Sequence, residues 1–371
     1  MSEHPAQSSP LYLLVHSDHP LDPVGPNSGA EMATLNQARA LAQSGRRVCV
    51  AARLKQPIQS DRGVHFIDLG LTYDIESALD WAEAQGPYVL LAAGKTFALL
   101  LSRRSTQCLK RVLITHDRSA GDCGLRPEVL EHVCDHILCV SHAQREKLAA
   151  EGAPLHRMQV IHNGVDFGIF RPCPPKQHNP RKIVFSGALV PDKGLHLLIG
   201  AFVALKQKFP ELQLDVFGSS SLWSREDYLN VEQLKRSVPG LVFHGKASQQ
   251  EIAGTLGEAG ICVVPSIWFD PYPLTSLEAQ ACGTPVVAFR VGGLPEGIAQ
   301  NSTGCVIDDI SQEALTNTLD ALLSDPQRLA FMSEAALSWS MQRFQWKDVV
   351  RKITALCEPG ESVRFHSQPS Q

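Results

Sequence analysis

The chain has 371 residues, 44% of them hydrophobic, and at about 150 residues per domain this length suggests two domains. Its 34 Lys and Arg residues against 38 Asp and Glu give a net charge of -4, so no polycationic surface points to nucleic acid or to an anionic membrane. We therefore expect no nucleic-acid partner and at most peripheral membrane contact.

The first ten residues are polar and lack a basic region followed by an apolar core, so they resemble neither a signal peptide nor an anchor. We expect residues 1–10 to be disordered and the protein to be cytoplasmic. The ten cysteines fit that expectation, because several of them lie inside apolar, strand-like runs, which favours reduced and buried thiols. These are Cys49, Cys139, Cys262 and Cys305.

In chain order, short apolar runs alternate with helical patterns, which predicts βα units and a parallel sheet. The helical patterns begin at about Gly29, Lys95, Leu125 and Ala143. Together these elements predict one doubly wound α/β domain over residues 11–170. The apolar runs of this first series are 11–15, 47–51, 89–92, 112–115 and 137–140.

A proline-dense, polar stretch then interrupts the pattern, and we assign residues 171–181 to a linker. A second βα series predicts a second domain over 182–342, followed by a C-terminal helix over 343–357 that packs back on the first domain. Residues 358–371 are polar and are expected to be a disordered tail. The apolar runs of the second series are 182–187, 212–218, 241–245, 260–265 and 284–289.

One segment of the second series carries the strongest chemical signal. A buried strand leads through an irregular loop into a helix that we expect to begin near Thr275. Such a helix start offers unpaired N–H groups and a positive dipole end to a phosphate. Two carboxylates, Asp270 and Glu278, flank it. A competing interpretation is a capping box over 275–278, in which Glu278 only satisfies the first N–H of the helix.

The acid pair Asp270 and Glu278, separated by seven residues and followed by an alanine-containing helix and Gly-Thr-Pro-Val-Val, resembles the retaining glycosyltransferases of family 4, which have the GT-B fold. The resemblance implies two Rossmann-like, doubly wound parallel-sheet domains that face a central cleft. It also implies that Glu278 binds the ribose hydroxyls of a nucleotide, and that Asp270 faces the transferred sugar. Pro273, Leu274 and Thr275 belong to the same donor-binding segment.

Other strings resemble the same family in order and spacing. Gly187 and Lys193 match its phosphate-binding turn and lysine, which would neutralise the departing diphosphate, and Gly245 matches the edge that holds the base. The strings 160–166 and 292–296 match its entry to the linker and the loop after the next strand. The resemblance covers about residues 11–355 and is strongest from 160 to 306.

In the first domain, Gly29 opens a helix after a loop that the family uses to approach the donor phosphate and the acceptor. The same glycine also fits a helix start that needs close packing. His116 ends a strand and matches the family's histidine near the reacting sugar, although a lone histidine is also common in loops. The resemblance implies acceptor contacts from Glu31, His116 and Asp117, and catalytic roles for His116, Lys193 and Asp270.

Three positions depart from the family pattern. Ala188 stands where an arginine is common, so leaving-group stabilisation would rest on Lys193 and on backbone N–H groups. Asp270 stands where glutamate is usual, which sets its carboxylate about 1.5 Å farther back. Pro273 stands where glycine is frequent, and it offers no N–H to a sugar hydroxyl.

We expect transfer of a hexosyl-type sugar, with retention and without a metal or other cofactor, from a nucleotide diphosphate sugar to an acceptor hydroxyl. A UDP-sugar is the first expectation for the donor, and the acceptor is a small molecule or a glycan. Two alternatives stay open: an epimerase that acts on the nucleotide sugar on the same fold, and a non-catalytic protein that only binds it. The histidine pair at 132 and 136 lacks the adjacent glutamate of zinc proteases, so no metal site is predicted.

Overall fold

The computed structural model describes residues 9–16, 19–94, 96–116, 126–173, 179–219, 229 and 231–358. The chain forms two compact units. The first comprises Met1–Val140, Arg145–His162 and Trp346–Gln371, and the second comprises Ser141–Gln144 and Asn163–Gln345.

The first unit contains an eight-stranded sheet in the order β3-β4-β2-β1-β5-β6-β7-β8, parallel except for the β3–β4 pair. Its strands are β1 (Leu11–Val15), β2 (Arg47–Ala52), β3 (Ser60–Asp61), β4 (Val64–Asp68), β5 (Tyr88–Ala93), β6 (Cys108–Thr115), β7 (His136–Cys139) and β8 (Met158–Val160). The helices along this part of the chain are α1 (Gly29–Gln43), α2 (Ile75–Ala84), α3 (Thr96–Leu101), α4 (Pro127–Val133) and α5 (His142–Ala150).

The second unit contains a six-stranded parallel sheet in the order β11-β10-β9-β12-β13-β14. Its strands are β9 (Asn179–Ser186), β10 (Gln213–Phe217), β11 (Leu241–Gly245), β12 (Ala259–Val264), β13 (Val286–Phe289) and β14 (Gly304–Ile307). Its helices are α6 (Leu195–Leu205), α7 (Val231–Ser237), α8 (Gln249–Glu258), α9 (Leu274–Ala281), α10 (Gln312–Leu323) and α11 (Pro326–Arg343). A final helix, α12 (Trp346–Cys357), belongs to the first unit.

The apolar runs form these strands because a parallel sheet covered on both faces buries every side chain of a central strand. All residues of β1, β5 and β12 are buried, as their uninterrupted apolar sequences predict. Each unit has its own hydrophobic core, one built around Leu13 and Leu90 and the other around Ile183 and Val263. The predicted α/β class with two parallel-sheet domains is confirmed.

The division between the units differs from the predicted linker. The compact units separate after His162, whereas composition placed the linker at 171–181. The second sheet already begins at Asn179, inside that range. Residues 163–173 pack with the second unit; for example, Val165 N donates to Phe344 O at 2.8 Å. The boundary follows these contacts and not the proline density.

The C-terminal helix begins at Trp346 and not at 343, because Arg343 ends the preceding helix. Helix α12 packs against α1 and belongs to the first unit. Glu358, which was expected in the disordered tail, accepts a hydrogen bond from Tyr12 Oη at 2.6 Å and pairs with Arg46 at 3.2 Å. Most of the two predicted disordered ends, residues 1–8 and 359–371, lies outside the described residues.

Each of the nine described cysteines is a free thiol. Cys49, Cys139, Cys262 and Cys305 are buried, as predicted, and burial raises the pKa of Cys49 to about 12. Across the described ranges, the helices are all too short or too polar to cross a membrane.

Candidate active site

The strand order of the second unit reverses between β9 and β12, which pair side by side although they are distant in sequence. In open α/β sheets, ligands bind at such a reversal, beyond the carboxyl ends of the strands. Two loops follow the carboxyl ends of these strands: residues 187–194 after β9, and residues 265–273 after β12. They contain Gly187, Lys193, Asp270 and Pro273, so the fold brings the predicted donor-binding residues to one edge.

The backbones of the two loops are in direct contact and share a hydrogen bond. Ile267 N donates to Asp192 O at 2.9 Å. Gly194 has a φ of +68°, and a Cβ at this position would lie 1.8 Å from Pro265 O. Only glycine permits both the left-handed turn and this close approach. The turn that presents Lys193 is therefore fixed against the loop that presents Asp270.

Lys193 and Asp270 form an ion pair, with 2.5 Å between Nζ and Oδ2. Asp270 is 5% exposed, and the hydroxyl of the buried Ser266 donates to the same Oδ2 at 3.2 Å. A buried carboxylate is costly unless it is paired and hydrogen-bonded, and these two contacts supply the compensation. Sequence reasoning predicted both charged residues but missed Ser266, whose only signal is its place just after a buried strand.

A third loop fixes the backbone of Asp270. Gly293 N donates to Asp270 O at 2.9 Å. Gly292 has a φ of +52°, and a Cβ there would lie 2.1 Å from Asp270 O. A Cβ at Gly293 would lie 2.0 Å from Pro271 O. Because Gly292 and Gly293 have no Cβ, the 292–296 loop can pack directly against the loop that carries Asp270.

Helix α9 begins one residue earlier than predicted, at Leu274, with Pro273 as the N-cap residue and no side-chain cap. Thr275 Oγ1 donates instead to Ser186 O at 3.1 Å, which ties the helix start to the end of β9. Glu278 lies one turn into the helix, where it cannot bond the first N–H. The capping-box interpretation is therefore wrong, and the first N–H groups of α9 receive no side-chain partner.

Glu278 is half-buried, and among the described residues its carboxyl group has no hydrogen-bond or ion-pair partner. Burial raises the pKa of Glu278 to about 8, because removal from water disfavours the charged form. At neutral pH this carboxyl group can therefore donate as well as accept a hydrogen bond, a combination that suits a diol.

The raised pKa predicts a specific pH dependence of stability. Between its ordinary value of 4.5 and about 8, Glu278 binds more protons in the folded than in the unfolded state, so it lowers stability as pH rises through this window. Glutamine has no such dependence. We expect the Glu278→Gln protein to melt higher than the wild type at about pH 8, with the gap closing near pH 4.5. Parallel melting profiles across that range would contradict the assignment.

Three neighbouring strands of the same sheet end at glycines. Gly187 follows β9, Gly218 follows β10 and Gly245 ends β11. A Cβ at Gly218 would lie 1.8 Å from Gly187 O, and Gly218 N donates to Gly245 O at 2.8 Å. An added Cβ at Gly245 would meet nothing within 4 Å. Glycine is required there by the left-handed φ of +73° and not by close packing. Gly218 was not predicted, because the glycine follows a strand without any flanking motif.

In the first unit, the strand order reverses between β1 and β5. His16, which directly follows β1, is 1% exposed, and its Nδ1 lies 3.0 Å from Thr34 Oγ1. The hydroxyl of Tyr73 donates to His16 O. Sequence reasoning missed His16, although a histidine directly after a buried strand was the same signal that singled out His116.

Gly29, Glu31 and His116 are the predicted residues of the first unit that the structure describes, and they follow the carboxyl ends of β1 and β6 along the chain. Gly29 is the first residue of α1, and an added Cβ there would meet nothing within 4 Å, so close packing does not explain the glycine. Glu31 is 5% exposed, and its carboxylate accepts a hydrogen bond from the Ser28 hydroxyl. His116 directly follows β6 and is half-buried, whereas Asp117 lies outside the described residues.

Two family models match the chain in succession. The model for Glycosyltransferase Family 4 matches residues 27–168, and that for Glycosyl transferases group 1 matches residues 167–339. The first match spans most of the first unit, and the second contains Lys193, Asp270 and Glu278.

Curated relatives are glycosyltransferases. A GDP-mannose-dependent alpha-(1-6)-phosphatidylinositol monomannoside mannosyltransferase of Mycolicibacterium smegmatis is 28% identical over 350 residues, which cover 87% of each chain. A D-inositol 3-phosphate glycosyltransferase of Arthrobacter sp. is 30% identical over 220 residues, which cover 54% of this chain and 50% of the relative.

Solved structures share the fold. Sucrose-phosphate synthase from Thermosynechococcus elongatus superposes with a TM-score of 0.76 at 19% identity, covering 93% of this chain and 98% of the other. Anabaena Alr3699/HepE in complex with UDP-glucose superposes with a TM-score of 0.73 at 19% identity, covering 92% and 98%. The chain belongs to the group 1 glycosyltransferases of family 4, and its two parallel-sheet units are the two domains of a GT-B enzyme.

Proposed function

We propose that this glycosyltransferase moves a hexosyl-type sugar from a nucleotide diphosphate sugar to an acceptor hydroxyl, with retention and without a metal ion. The observation that carries the proposal is the contact of 2.5 Å between Lys193 and Asp270, beside the uncapped start of α9, at the strand-order reversal of the second unit. This arrangement places a cation, a carboxylate and a helix start without a side-chain cap close together.

The diphosphate of the donor is assigned to Lys193 and to the N-terminus of α9. The first N–H groups of a helix and its dipole favour phosphate, and α9 offers them without a competing side chain. Ala188 contributes no charge, so the ammonium group of Lys193 is assigned to neutralise the departing diphosphate. Fixed charge of this kind stabilises the leaving group without reorganisation during the reaction.

We propose a transfer step in which these residues act as follows. The acceptor oxygen forms a bond to the anomeric carbon on the side from which the phosphate leaves, while the bond from that carbon to the phosphate oxygen breaks. The acceptor proton passes to the departing phosphate oxygen. Asp270 orients the sugar and stabilises the positive charge that develops on it, and its own hydrogen bonds to Lys193 and Ser266 hold its orientation.

Glu278 is assigned to the ribose of the donor. Its carboxyl group lies one turn beyond the helix start that meets the diphosphate, and it has no partner among the described residues. The two ribose hydroxyls would supply the hydrogen bonds that this half-buried carboxyl group lacks.

We propose UDP-sugar as the donor and a small molecule or a glycan as the acceptor. A solved structure of the same fold contains UDP-glucose, which supports the uridine choice, whereas the Mycolicibacterium relative is named for GDP-mannose. Melting the protein with UDP-, GDP- and ADP-glucose and GDP-mannose separates the bases. A donor at 100 times its Kd stabilises by about 2.7 kcal/mol. We expect the largest rise in Tm with the UDP-sugar, and a larger rise with a guanosine or adenosine donor would overturn the uridine choice.

A further inference from the structure

A polar cavity lies in the first unit, where β6 and β7 begin. Its volume is about 270 Å³, and its lining includes Arg103, Arg111 and Arg157 together with Glu131 and Asp135. Arg111 precedes His116 by five residues along β6, which separates the cavity from the carboxyl edge of the sheet by about 16 Å. The cavity is therefore distinct from the predicted acceptor residues of this unit.

Two of the three guanidinium groups are held only by neutral acceptors. Arg103 Nη1 donates to His132 O. Arg111 Nε donates to Ser102 Oγ at 3.1 Å, and its Nη2 donates to Ser102 O at 2.8 Å. Neither arginine forms an ion pair with a carboxylate of the described residues. These bonds restrain the side chains, and within the described residues they leave both guanidinium groups without a direct carboxylate partner and several N–H donors unused.

The third arginine is neutralised by a carboxylate. Arg157 donates to Glu131 Oε1 from Nε at 3.2 Å and from Nη2 at 3.0 Å, and this pair lowers the pKa of Glu131 below its ordinary value. Asp135 Oδ2 accepts from the backbone N of Arg111 at 2.7 Å. With three guanidinium groups and two carboxylates among the lining residues, the local balance is +1.

We propose that this cavity binds a phosphate dianion, either inorganic phosphate or the monoester group of a small metabolite. Guanidinium groups present paired N–H donors that match two phosphate oxygens, and such charge-assisted bonds are stronger than neutral ones. Side chains already held by neutral acceptors lose little freedom when they bind. Ligand pockets commonly measure about 300–1,000 Å³, so the occupant of this smaller cavity is a small ion or ester.

The test is a titration of the full-length protein with inorganic phosphate by calorimetry, against sodium chloride of equal ionic strength. We expect saturable binding of one phosphate, weakened about tenfold or more in Arg103→Gln and in Arg111→Gln, because each change removes a charge-assisted bond. Arg104→Gln is the matched control: the neighbouring arginine pairs with Asp80 at 2.9 Å and does not line the cavity. It is expected to bind phosphate like the wild type.

Three further measurements identify the site, the folded state and the source of the phosphate. Lys193→Ala removes the proposed donor cation, so phosphate binding that persists in this variant belongs to the cavity of the first unit. Circular dichroism melting verifies that each variant is folded. Equal affinity in the folded Arg103 and Arg111 variants and the wild type would overturn the proposal. So would co-sedimentation with vesicles of phosphatidylcholine and phosphatidic acid without saturable binding of inorganic phosphate.

Discussion

We expect the Lys193→Ala enzyme to lose about 10²- to 10³-fold in kcat, the usual cost of removing one preorganised charge donor from a transition state. The loss is large because position 188 is an alanine, which leaves Lys193 as the cation assigned to the departing diphosphate. The same change also leaves the carboxylate of Asp270, which is 5% exposed, without its ammonium partner. Steady-state kinetics with saturating donor measure the effect.

Lys182→Ala is the matched control for this experiment. Lys182 is also a lysine of the second unit that pairs with a carboxylate, Glu258, at 2.7 Å, but it lies inside β9, four residues before the carboxyl end of the strand where the predicted donor-binding loop begins. We expect this variant to keep its kcat while losing a comparable ion pair. A folded Lys193→Ala enzyme with near-normal kcat would exclude the assigned role.

The second large effect is expected from Gly292→Ala, a change that touches no charged group. The added Cβ would meet Asp270 O at 2.1 Å, and the φ of +52° disfavours any side chain. The backbone that carries Asp270 must therefore move. A displacement of about 1 Å in a positioning group costs on the order of 10²-fold in rate, so we expect kcat to fall by about that factor.

The control for the glycine change is Gly254→Ala in helix α8. A Cβ at Gly254 meets nothing within 4 Å, and alanine favours a helix by about 1 kcal/mol over glycine. We expect this variant to melt slightly higher than the wild type and to keep its kcat. Wild-type kcat in Gly292→Ala would show that the 292–296 loop does not position Asp270.

The fold was predictable where strands are uninterrupted apolar runs, as in β1, β5 and β12. Strands β3 and β4 were not predicted from the sequence, because β3 has only two residues and β4 is only partly buried. Pro180 argued against a strand, yet β9 includes it. This is tolerated because the pairing with β10 begins only at Lys182, so the missing N–H of the proline costs no ladder bond there.

Sequence reasoning could name the candidate site residues but could not predict the contacts between them. The spacing of Asp270 and Glu278 and the turn before Lys193 were visible in sequence. The contact between Lys193 and Asp270 was not, because it depends on β9 and β12 being neighbours in the sheet. The helix start was misplaced because the Thr-Ser-Leu-Glu string also fits a capping box, whereas Pro273 sets the N-cap one turn before Glu278.

Incubating the full-length enzyme with UDP-glucose and following the reaction by NMR tests sugar transfer most directly, because water can accept the sugar slowly when no better acceptor is present. We predict release of UDP together with a sugar that first appears with the anomeric configuration of the donor. UDP release should be about 10²- to 10³-fold slower in Lys193→Ala. Conversion of the nucleotide sugar to an epimer, or tight binding with no release of UDP, would contradict glycosyl transfer at this site.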